Sequence, residues 1–176
     1  MKRLFMTILT LAAVCTYADA REVNGRVISG KEKLGGVIVT DGENFTQTRK
    51  NGKFRLDIKD DAEFVYIVTP AGYAADWSSG VPASYQRAEG QDNFVFDLLK
   101  TDDSGDYSII AVSDPQTKTK KHFAQFSGLP MEELTKTASE LGGAVAGIIL
   151  GDICWDSLEL LEDYKSEIVR TGVPFY

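Results

Sequence analysis

From Glu22 to Lys100 apolar and polar residues alternate in short runs, rich in β-branched and aromatic side chains and punctuated by Gly, Asp and Asn. A period of two is the signature of half-buried strands. It predicts strands at Glu22–Ser29, Gly36–Thr40, Phe45–Arg49, Lys53–Ile58, Glu63–Thr69 and Asn93–Leu98. Lys50-Asn51-Gly52 predicts a hairpin between two of them, because Asn and Gly tolerate the positive φ of a primed turn. No helical pattern interrupts the series, so residues 21–100 are predicted to form an all-β, immunoglobulin-like sandwich. Ala71 to Gln91 has no strong period and is predicted as a long loop. Its Tyr73, Trp77 and Tyr85 either pack it onto the sandwich edge or present rings to a carbohydrate or partner.

After Lys100 the period changes. Thr101 to Asp106 is polar and glycine-containing, and is read as a linker. Its aspartates resemble half of a calcium loop, but such a loop needs a glutamate at its twelfth position, where counting from Asp102 gives Ser113. Tyr107–Val112 is a nearly continuous apolar strand, and Pro130–Leu141 has helical spacing. Ala144–Leu150 is a second buried strand, Ser157–Arg170 an amphipathic helix, and Val173–Tyr176 the start of a third strand. Ser157 is placed to cap the second helix, Pro130 suits a first helical turn, and Gly142-Gly143 suits a helix end. Apolar strands alternating with helices predict a parallel β-α-β-α-β layer over 107–176.

The first twenty residues change the picture of where this chain works. Lys2 and Arg3 precede an apolar run from Leu4 to Val14, and Ala18-Asp19-Ala20 offers small residues for cleavage. Residues 1–20 are therefore predicted to be a secretory signal peptide, since a membrane span needs about 20 apolar residues. The expected location is periplasmic or extracellular, without a transmembrane anchor. Lipoprotein anchoring through Cys15 is disfavoured because Val14 stands where that signal wants a small residue. Once Cys15 is removed, Cys154 has no partner for an internal disulfide.

The formal charge of −7 argues against nucleic acid or an anionic membrane as partner. Lys118, Lys120 and Lys121 form the one basic cluster along the sequence.

The chemistry falls at strand ends. In an open parallel sheet, ligands bind outside the carboxyl ends of the strands. There the first strand of the second half meets Ser113-Asp114-Pro115-Gln116 and the second meets Gly151-Asp152. Neighbouring strands would bring Asp114 and Asp152 together, and two carboxylates without a lysine or arginine in their loops repel each other unless a divalent cation lies between them. Gly151 would let the chain turn sharply off its strand. Asp114, the amide oxygen of Gln116 and Asp152 are hard oxygen ligands suited to Mn, Mg or Fe, or to Zn with added histidines. Asp156 would cap the following helix or support the ligands from outside. His122, the single histidine, lies among polar residues and is expected at the surface. The competing reading is that both aspartates merely start turns.

Ser113-Asp114-Pro115-Gln116 followed by Leu150-Gly151-Asp152-Ile153-Cys154-Trp155-Asp156 resembles the first two metal-binding blocks of the calcineurin-like metallophosphoesterases, Asp-x-His and then Gly-Asp after a buried strand. Gly172 to Tyr176 resembles the strand leading into that family's Gly-Asn-His-Asp block. Asn24 to Val27, Gly36 to Gly42 and Asn51 to Phe54 are similar to the carboxypeptidase-regulatory-like sandwich that precedes the catalytic domain in secreted bacterial members. The resemblance implies a phosphoester hydrolase with two divalent ions of Mn, Fe, Zn or Mg. Asp114 would bind the first ion, Asp152 would bridge both, and Gln116 takes the position usually held by His. It also implies an asparagine and further histidines beyond the third strand, so the sequence is expected to be the first part of such an enzyme, without a complete catalytic set and with little or no activity.

Two other readings stand beside it. One is a non-catalytic secreted sandwich that binds a glycan or envelope partner through the Tyr73, Trp77 and Tyr85 loop. The other takes Asp114 as a phosphoaspartate nucleophile, for which Gln116 stands where a second aspartate is needed.

Overall fold

The computed structural model describes residues 20–101, 105–141 and 144–176. The predicted signal peptide before Ala20, Asp102–Ser104 of the predicted linker and Gly142-Gly143 lie outside the described residues.

The first half forms two four-stranded sheets. In one, β1 (Ala20–Ser29) is central: it pairs antiparallel with β2 (Glu32–Lys33) and β5 (Lys53–Lys59), and parallel with β9 (Asn93–Asp97). In the other the order is β4 (Phe45–Gln47), β3 (Ile38–Thr40), β6 (Phe64–Ile67), β8 (Tyr85–Arg87). The alternation of the sequence is the alternation of burial: Phe54, Leu56 and Ile58 of β5 and Phe94 and Phe96 of β9 point inward, and their neighbours face solvent. Val23, Val27, Val39 and Val65 meet these side chains in one core.

Two local expectations change. The Lys50-Asn51-Gly52 turn forms, with Gly52 at φ 74° and its N–H donating to the Arg49 carbonyl at 2.7 Å. The strands on either side of it nevertheless enter different sheets. Buried Thr48 explains the divergence, because its hydroxyl donates to the Leu34 carbonyl at 2.6 Å and accepts from the Val37 N–H at 2.9 Å. These bonds draw the end of β4 toward the β2–β3 connection.

The predicted loop Ala71–Gln91 contains two short strands, β7 (Tyr73–Ala74), paired with β10 (Leu99–Lys100), and β8. Tyr73 packs on the core and donates to Glu32 at 3.0 Å, and Tyr85 meets Phe64 edge to face.

In the second half β11 (Tyr107–Val112) and β12 (Ala144–Ile149) are parallel, with Val112 opposite Ile149. Gly147 and Ile149 donate to the carbonyls of Pro174 and Tyr176 at 2.8 and 2.9 Å, so the last residues add a parallel bridge on the other side of β12. Between β11 and β12 lie α1 (Lys120–Phe126), which the sequence pattern did not predict, and α2 (Leu129–Glu140). The predicted helix after β12 is a 3-10 turn at Leu158–Leu160, α3 (Leu161–Ile168) and a second 3-10 turn at Val169–Thr171.

Met131, Ile168 and Phe175, with Ile110, Val112 and Ile149, seal one face of this sheet. The other face is open, with Tyr107, Ile109, Ile148 and Leu150 exposed, whereas parallel sheets are generally covered on both sides. The halves touch where Gly80 lies against the backbone of Lys165. Tyr73 and Trp77 also share a cavity of about 780 Å³ with Tyr107, Val173 and Tyr176. Among the described residues no helix is long and apolar enough to cross a membrane.

Two tests follow from this architecture. A Cβ on Gly147 would fall inside the Phe175 ring, which is buried and cannot retreat, so Gly147→Ala is expected to cost about 1–3 kcal/mol in chemical denaturation; an unchanged midpoint would contradict the packing. Asp41 caps the β3–β4 turn, accepting from the N–H groups of Asn44, Glu43 and Lys59 at 2.7, 3.0 and 3.1 Å. Burial works to raise this carboxyl, but together these donors hold it below its ordinary 3.8. A lowered folded value means stability that is fully present above pH 3.8 and is lost as pH falls from there through the lower value of the folded state. Wild type should therefore exceed Asp41→Asn by about 1 kcal/mol at neutral pH, and the gap should shrink below pH 3.8.

Candidate functional site

The parallel register of β11 and β12 ends both strands at the same edge, where the Leu150 N–H still donates to the Val112 carbonyl at 2.9 Å. Beyond the strands the two chains stay joined. The Gln116 N–H donates to the Asp152 carbonyl at 2.9 Å and the Thr117 N–H to the Ile153 carbonyl at 3.0 Å. The loop Ser113–Gln116 is thus held on the loop Gly151–Asp152, and the segments carrying Asp114, Gln116 and Asp152 share one solvent-facing edge, with all three residues exposed.

Among the described residues four that are not glycine have left-handed backbone: Asp114 at φ 52°, Gln116 at 44°, Asp152 at 44° and Trp155 at 48°. Three of them are in these two loops, and Trp155 lies three residues beyond Asp152. Such conformations disfavour L side chains, and persist where surrounding structure fixes them, often at functional sites. Gly151 precedes Asp152 with φ 88°, and nothing lies within 4 Å of where its Cβ would stand. Its glycine is required by the backbone turn, as the sequence implied, and not by crowding.

Behind the edge is a support that sequence reasoning missed. Tyr164 of α3 donates its hydroxyl to Thr117 Oγ1 at 3.0 Å, and Thr117 donates on to the Ile153 carbonyl at 3.4 Å. Burial pushes the Tyr164 phenol up, against the opposing influence of its bond to Thr117, which keeps it neutral and a donor. Phe123 and Phe126 of α1 stack around its ring at centroid distances of 5.1 and 4.8 Å. The signal available in sequence was a tyrosine on the apolar stripe of the last helix.

Cys154 is buried, its thiol raised by burial and then by Glu159, as suits a packing residue. Ser157, expected as a helix cap, makes no capping bond. Its hydroxyl donates instead to the Lys118 carbonyl at 2.8 Å, tying the turn after Asp152 to the chain after Gln116. Above this junction the Lys118 ammonium sits 3.8 Å from the centroid of the exposed Trp155 ring.

His122 is exposed on α1 and accepts at Nδ1 from the Lys118 N–H at 3.4 Å. It shares a cleft of about 450 Å³ with Gln116 and Phe126. Asp156 is exposed and its side chain makes no hydrogen bond among the described residues. Two carboxylates and one amide oxygen on adjoined loops match the hard-oxygen preference of Mg, Mn or Fe. They fit one side of a cation site and no more. Among the described residues no group of three His, Cys, Asp or Glu side chains converges to hold an ion, so a two-ion centre needs ligands in addition to these.

No curated protein and no solved structure matches the chain. Residues 21–101, the sandwich as far as the start of the linker, match the family model described as the N terminal of Calcineurin-like phosphoesterase. Residues 21–101 are thus similar to the N-terminal part of calcineurin-like phosphoesterases, and Asp114, Gln116 and Asp152 lie outside the matched segment.

Proposed function

We propose that the chain carries the sandwich and the first metal-binding edge of a metal-dependent phosphoester hydrolase of the calcineurin-like kind, exported from the cytoplasm by residues 1–20. The observation that carries this reading is that Asp114, Gln116 and Asp152 are three of the four left-handed residues other than glycine among the described residues, the fourth being Trp155 just beyond them. Turns that only redirect a strand are served at less conformational cost by glycine or asparagine, so the cost here is attributed to aiming these side chains.

In this reading Asp152 and Asp114 would hold divalent ions through their carboxylates, and Gln116 would contribute its amide oxygen. Asp156 would support the ligands from outside. Divalent ions bound there would supply Lewis-acid activation of water and of a phosphate ester. Backbone hydrogen bonds hold the two loops together, and the edge is open to solvent. Gln116 is neutral and a weaker ligand than an imidazole, so its loss would weaken ion binding less than loss of either carboxylate. The three residues alone bind an ion without completing the catalytic set.

A Mn(II) titration followed by water proton relaxation tests this directly. The chain is expected to bind about one ion, with affinity lowered at least tenfold by Asp152→Asn, lowered similarly by Asp114→Asn and lowered less by Asp156→Asn. Phosphatase assays on the same samples are expected to show no metal-dependent turnover. Binding that ignores both Asp114→Asn and Asp152→Asn would refute the assignment, and robust turnover would refute the incomplete catalytic set.

A further inference from the structure

The outer face of the β1 sheet carries a cluster of cations that the sequence conceals. Arg26 lies directly across from Lys53, and Asn24 directly across from Arg55. On the other side of β1, Asn24 also pairs with Asn93. Arg49, from the turn before β5, completes the lining of a cavity of about 370 Å³. Four positive side chains therefore converge on one cleft of a protein whose formal charge is −7.

Only Arg55 is neutralised, by Glu22 at 3.2 Å. Arg26, Arg49 and Lys53 meet no carboxylate within ion-pair distance among the described residues. Like charges directly opposite on paired strands destabilise a sheet. The arrangement costs stability in the free protein and becomes favourable when an oxyanion lies between the cations. Guanidinium groups match carboxylate and phosphate oxygens in paired hydrogen bonds. The Asn24 and Asn93 amides at the same cleft can both donate to and accept from hydroxyl groups. The volume is within the range of small-molecule sites, at its lower end.

We infer that this cleft on the sandwich is a binding site for a sugar bearing an oxyanion, a hexose phosphate or a uronate. Arg26, Arg49 and Lys53 hold the oxyanion and Asn24 and Asn93 hold the hydroxyls. The site is separate from the Asp114 and Asp152 edge and needs no metal.

Calorimetric titration of the full chain in chelator at low salt provides the test, with glucose 6-phosphate and glucuronate as separate probes and glucose as the uncharged control. Saturable binding of at least one charged probe is expected, and which one binds identifies the oxyanion. Arg26→Gln and Lys53→Gln should each weaken it about tenfold. Lys50→Gln, an exposed cation outside the cleft, should leave it unchanged, and so should Asp152→Asn, which separates this site from the metal edge. Ligand-free Lys53→Gln should melt no lower than wild type, because it relieves repulsion. The inference is overturned if neither charged probe binds, if glucose binds equally well, if Asp152→Asn abolishes binding, or if Lys53→Gln unfolds the sheet and so shows the cation to be structural.

Discussion

The hydrogen bond from the Gln116 N–H to the Asp152 carbonyl, 2.9 Å long, continues the contact between β11 and β12 past the point where regular strand ends. Without it the two loops would be separate surface turns, each free to place its aspartate independently. With it, and with the Thr117 bond to Ile153 beside it, the loops form one unit whose backbone can be held in left-handed conformations. The support runs inward through Thr117 to Tyr164 and so into the aromatic cluster of α1 and α3. That a surface edge should be anchored to buried groups is what precise placement of ligands requires.

The same sheet is held from its other side by the last residues of the chain. Gly147 is the place where this works, since the missing side chain lets Phe175 lie flat on the central strand and join Met131 and Ile168. One face of the sheet is therefore closed by α2 and α3, while Tyr107, Ile109, Ile148 and Leu150 leave the other apolar and open. In the sandwich the two sheets cover each other, and the exposed Phe45, Tyr85, Val95 and Leu99 stand on separate strands. The two halves thus differ in how fully their apolar surface is satisfied.

The strands of the sandwich were legible because burial on one face writes a period of two directly into β5 and β9. The parallel pair was legible because Tyr107–Val112 and Ala144–Ile149 are apolar beyond what alternation allows. Helix α1 was not, since none of its residues is buried and its Lys120, Lys121 and His122 read as loop. Three positions of the candidate edge were readable from residue type and strand context, but their backbone was not, because Asp and Gln do not announce positive φ as Gly does. Thr117 and Tyr164 were missed for a different reason, being 47 residues apart and joined only by packing. The basic cleft was hidden likewise: Arg26, Arg49, Lys53 and Arg55 form no run along the chain, and strand register together with the turn before β5 assembles them.

The central claim is that the Asp114 and Asp152 loops make a single cation-binding edge, and amide NMR with substoichiometric Mn(II) tests it most directly. The account predicts that the amides of Asp114, Gln116 and Thr117 broaden together with those of Gly151, Asp152 and Ile153, while those of the sandwich core strands stay sharp. Broadening confined to one of the two loops, or centred on acidic residues elsewhere such as Asp60 and Asp61, would contradict it.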